Sequence, residues 1–168
     1  AAKNFDPATQ QTAYIAAANK LTENGQYQTA VAMLNEKMEG EALENALSST
    51  NWYYAHHLMQ KGQYDAAESV MLEFNESNRI SALTSLALTV FNANREENHA
   101  RAAGILNRVR AFLPDRPENQ NDMSQIFAVI NALAEIGPAE GFRMMEPLTE
   151  QLNQLTEAFA VVQAYQGG

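Results

Sequence analysis

The chain has 168 residues, 46% of them hydrophobic, a formal net charge of −9 and no cysteine. A chain of this size buries roughly two thirds of its unfolded surface, so its core needs no disulfide or metal. The acidic balance argues against nucleic acid and anionic membrane surfaces, and the missing cysteines exclude thiolate metal sites and cysteine nucleophiles.

Helical periodicity runs through nearly the whole sequence, while strand-like alternation is absent over any useful length. Asp6 and Pro7 pair as N-cap and first helical residue. Tyr14, Ala17, Ala18 and Leu21 then recur on one face, and Gly25 ends this first helix in the left-handed position. A second helix carries Tyr27, Ala30, Val31, Leu34 and Met38 inward. It breaks near Gly40 or continues to Leu47. Ser48, Ser49, Thr50 and Asn51 are cap formers that predict a third helix over 51–60, with some combination of Trp52, Ala55, Leu58 and Met59 toward the core and Gly62 closing it. The fourth is expected over 64–74, and a strongly apolar fifth over 77–92 through Ile80, Leu83, Leu86, Ala87, Val90 and Phe91. The sixth spans 98–113, stopped by Pro114 and Pro117, with a loop over 114–121. Asp122 is expected to cap a seventh helix reaching Ile136, and Gly137-Pro138 to turn the chain. A last helical region extends to Gln166 with a kink at Pro147. No apolar run of about 18 residues occurs, so no membrane span is expected. The chain opens on Ala1 without a methionine and closes on Gly167-Gly168, so the expectation is a processed protein or a domain of a longer chain.

One internal repeat stands out. Gly25-Gln26-Tyr27-Gln28-Thr29-Ala30 aligns with Gly62-Gln63-Tyr64-Asp65-Ala66-Ala67 at an offset of 37. A helix pair cannot bury its apolar face alone, so repeated pairs stack. The Gly-x-Tyr-x-x-Ala spacing between two amphipathic helices resembles the tetratricopeptide repeat. Tyr14, Ala18, Leu21, Gly25, Tyr27 and Ala30 match the family positions first, then Ala55, Leu58, Gly62, Tyr64 and Ala67. Lys37, Phe74 and Phe142 depart from the pattern. The stretch from Ile80 to Gln166 is also similar to helical repeat regions of uncharacterised bacterial proteins. The resemblance implies an all-α, right-handed α-α superhelix of about four antiparallel helix pairs forming a single domain, with repeats over 7–47, 48–77, 78–113 and 121–166. It further implies a groove lined by the first helix of each pair. That groove presents Thr12, Ile15, Asn19 and Thr22 from the first repeat, and Ser49, Trp52, His56 and Met59 from the second.

No phosphate loop, dinucleotide fingerprint, nucleophile elbow or zinc-protease motif occurs. His56 and His57 project about 100° apart on a helix and do not chelate one ion together. Glu36, Glu39, Glu41 and Glu44 read as a solvated face. The segment Trp52-Tyr53-Tyr54-Ala55-His56-His57 is the most unusual: its aromatics serve either as packing between helices or as a ligand-facing surface, for which such side chains supply large contact area at low entropic cost. The expectation is a non-catalytic interaction module with no cofactor and no metal. Its partner would be a protein, a peptide or another domain of the same chain. Arg101 and Arg108, seven apart on one helix, form a second-choice surface for an acidic partner. The alternatives are a helical accessory domain of a larger enzyme, such as one acting on cell-wall glycan, and a self-assembling structural unit.

Overall fold

A computed structural model describes residues 6–114, 117–139, 141–146 and 149–150. The seven elements over 6–136 are all helices, and no strand occurs among the described residues: α1 (Pro7–Glu23), α2 (Tyr27–Lys37), α3 (Gly40–Gln60), α4 (Tyr64–Leu72), α5 (Glu76–Ala93), α6 (Arg95–Arg110) and α7 (Gln120–Ile136). Residues 141–146 continue as helix. The expected kink at Pro147 and the helical region beyond 150 lie outside the described residues. The fold groups into two compact units, one through Leu86 and one from Ala87 onward.

In the first unit, α1 packs against α2 and α3, and α4 packs against α3. The repeated glycines set both reversals. Gly25 donates its N–H to Thr22 O (2.9 Å) and Gln26 to Leu21 O (2.8 Å). Gly62 donates to Met59 O (3.0 Å) and Gln63 to Leu58 O (2.9 Å). Both turns are therefore Schellman closures, with φ of 77° at Gly25 and 71° at Gly62, a region that penalises a Cβ. The buried register repeats with the turns: Ala18 and Ala55, Ala30 and Ala67, Leu34 and Met71 are all fully buried pairs at the offset of 37. Ala18, Ala30, Leu34, Met38 and Ala46 form one apolar cluster, with Tyr14, Ile15, Leu21 and Leu43 packed against it. Each large side chain fully buried there contributes about 1.5–3 kcal/mol. Arg79 closes the end of α4 by donating from Nη2 (2.8 Å) and Nε (3.2 Å) to Phe74 O.

Several boundaries differ from expectation. The third helix begins at Gly40, so the second ends at Lys37, with Met38 and Glu39 extended. Ser48, Ser49, Thr50 and Asn51 consequently lie inside α3. Thr50 is tolerated there because its hydroxyl donates to Ala46 O (2.8 Å), the internal alternative to capping. Ala17 is exposed, so the buried stripe of α1 is narrower than the expected face. α4 stops at Leu72, short of the expected 74. Asn94, which accepts from Glu97 N, starts α6 earlier than expected. Asn119 caps α7 in place of Asp122. Its Oδ1 accepts from Asp122 N (3.0 Å), while Asp122 Oδ2 accepts from Glu118 N (2.9 Å), a reciprocal arrangement like a capping box.

In the second unit, α6 and α7 pack through Ala102, Ile105, Leu106 and Val109 on one side and Ile126, Val129, Ile130, Leu133 and Ile136 on the other, all buried. The start of α6 meets the end of α7. His99 Nε2 donates to Ile136 O (2.7 Å), and Arg95 lies 3.6 Å from the Glu135 carboxylate. Ile136 O can only accept, so the neutral imidazole is the Nε2–H tautomer. Arg95 also sits over the Phe91 ring at 5.3 Å.

Candidate functional site

The three consecutive aromatics of α3 separate because successive helical residues point about 100° apart. Trp52 is half-buried, its ring 5.3 Å from that of Phe74 and tilted by 47°. Tyr54 turns to the other side, where it stacks on Tyr27 at 4.0 Å with only 4° between the planes. The Tyr27 hydroxyl donates to Asn51 Oδ1 (2.7 Å). Tyr53 faces out and is 46% exposed. His56 is exposed as well. Ser49, Trp52, Tyr53, His56 and Met59 therefore follow one stripe along α3, at helical spacings of three and four.

The eight groove positions expected from the sequence do not behave alike. Thr12 is exposed, its hydroxyl donating to Ala8 O (3.0 Å). Ile15 packs against the core cluster. Thr22 is completely buried and donates to Ala18 O (2.9 Å), so it has no surface to offer a ligand. Thr22 lies one helical turn beyond Ala18 on the side of α1 that packs against its neighbouring helices, and its hydroxyl is satisfied within the helix. Asn19, Ser49, Trp52 and Met59 are half-buried, and His56 is exposed.

Among the described residues of this unit, Asn19 Oδ1 and His57 Nε2 are shielded from solvent without a hydrogen-bonding partner. Burying an unpaired acceptor costs about 1–3 kcal/mol. Tyr53 and Tyr54 were absent from the eight groove positions. The run of aromatics announced them, but only the rotation of α3 tells which one faces out. Among the described residues, no group of three or more His, Asp or Glu side chains is placed to hold a metal ion. Nor, among the described residues, is any helix long and apolar enough to cross a membrane.

On the second-choice surface, Arg101 is half-buried and Arg108 exposed. Both already interact with other groups of the chain, so clamping an acidic partner would require exchanging those contacts. No family model, curated protein or solved structure matches the chain.

Proposed function

We propose that this chain is a non-catalytic interaction module, built from tetratricopeptide-like helix pairs, that holds a peptide or protein segment along α3. The observation that carries this reading is the surface stripe of Trp52, Tyr53 and His56. Aromatic side chains left open on one helix face are the usual anchors of an interface, where most binding energy concentrates in a few such residues. The unpaired Asn19 Oδ1 adds an acceptor that a main-chain N–H could satisfy after rotation of its half-buried carboxamide. The test is a displayed peptide library screened with the native chain, repeated with Trp52→Ala and Tyr53→Ala. The expected outcome is loss of the selected peptides by both variants with helical circular dichroism unchanged. Folded variants that bind as well as the parent would sink the proposal.

A second reading is self-assembly. It is favoured by Phe127, Phe142 and Met145 in the second unit, which are 42%, 74% and 40% exposed. Soluble proteins keep large apolar groups at the surface mainly where something covers them. Light scattering over a concentration series, comparing the parent with Phe142→Ser, decides this one. A concentration-independent monomer mass rejects it.

A further inference from the structure

We infer that Asn24-Gly25 is a site of spontaneous chemical modification, and that the folded turn holds the reaction off. The sequence contains a single Asn-Gly step. Glycine has no Cβ to obstruct approach to its own amide nitrogen. After losing its proton, that nitrogen attacks the Asn24 side-chain carbonyl carbon. A new C–N bond closes a five-membered succinimide as the Cγ–Nδ2 bond breaks, and ammonia leaves carrying the proton that the amide gave up. Water then adds across either ring C–N bond, leaving aspartate or isoaspartate. No oxidant or reductant is involved.

The fold opposes the first step through the hydrogen bonds of the turn and not by hiding the side chain. Asn24 is exposed, so solvent and base reach it. The nucleophile is not free, however: Gly25 N–H is donated to Thr22 O at 2.9 Å, and Asn24 N–H is itself directed at Lys20 O and Thr22 O. Ring closure requires the Gly25 amide to give up its proton and swing out of the turn, with Gln26 N–H also leaving Leu21 O. The reaction therefore proceeds through local opening, the same event that permits amide hydrogen exchange. The second turn is an internal control. It has the same hydrogen bonds at Gly62 but carries Lys61 in place of Asn24, so it cannot cyclise.

Conversion damages the turn it escapes from. Isoaspartate adds a methylene to the main chain, so the Gly25 and Gln26 N–H groups lose register with the carbonyls of Thr22 and Leu21. Either product also places a carboxylate at the C-terminal end of α1, where the helix dipole is already negative. The modification thus marks chains whose first helix pair has opened and weakens that pair further.

The experiment incubates the full chain at mildly alkaline pH, native and in guanidinium chloride. Peptide mass spectrometry follows each asparagine, and hydrogen exchange of Gly25 N–H is measured in parallel. The expected result is selective conversion of Asn24 in the unfolded chain. In the native chain conversion is expected to be at least about tenfold slower, tracking Gly25 exchange, since both require the turn to open. Asn24→Lys, copying the second turn, should abolish the conversion and keep the fold. Equal rates in native and unfolded chains would overturn the protection. Conversion of Asn24 in the unfolded chain no faster than at the other asparagines would overturn the site.

Discussion

Tyr27 joins two helices through two different forces. Its ring stacks on Tyr54, and its hydroxyl donates to Asn51 Oδ1 on the same helix. Tyr27→Phe keeps the stack and removes the donor, and is expected to cost about 1 kcal/mol in urea unfolding. Burial, and then the neighbouring Tyr54, hold the Tyr27 phenol above its ordinary 10.0. The native state therefore keeps this proton longer than the unfolded chain. Its contribution is complete below pH 10.0 and is lost as pH rises through the higher native value. Melting temperature should fall less steeply in strong base for Tyr27→Phe than for the parent. Asp6 has the opposite sign: hydrogen bonds from the Thr9 hydroxyl and the Thr9 N–H hold it below 3.8. That cap contributes above this pH and is lost as pH falls through the lower native value. Trp52 is half-buried, so Trp52→Ala should cost less than the roughly 3–5 kcal/mol of a fully buried aromatic, and its emission should be intermediate.

At the level of elements, the helix ends decide where the chain turns. Nothing lies within 4 Å of a Cβ built on Gly25 or Gly62, so replacing either with alanine meets only the cost of positive φ. That cost is about 1–2 kcal/mol. A neutral Gly62→Ala in thermal unfolding would mean that the closure is not what holds α3 against α4. Gly141 is a different case. Its φ is ordinary, but an added Cβ would stand 2.9 Å from the Ala134 backbone nitrogen. Backbone cannot move aside as a side chain does, so Gly141→Ala should destabilise more than Gly62→Ala. Asn119→Ala should cost about 1 kcal/mol, the usual value of a lost N-cap.

For the whole molecule, the mean circular dichroism should show helix far above the one-third typical of globular proteins. Zinc and chelators should leave the melting temperature unchanged, because a ligand stabilises only by binding the native state. A reproducible, stoichiometric shift with zinc would show that separate helices assemble a metal site.

The all-helical class was legible in the sequence because burial of a helix face imposes a period that survives in the residue pattern, as Ile80, Leu83, Leu86, Ala87 and Val90 show. So was the paired glycine turn, because a left-handed C′ position admits few other residues. The start of α3 was not: four cap formers at 48–51 point to a helix start there. They instead lie within a helix whose Ala46 and Thr50 are buried by tertiary packing. Nor were the roles of Thr22 and Tyr53 legible. Threonine is as common outside as inside, and three consecutive aromatics carry no label for the one that faces water. Those assignments follow from the angle at which each helix meets its neighbours. That angle is set by contacts between residues far apart in the chain, which no local pattern records.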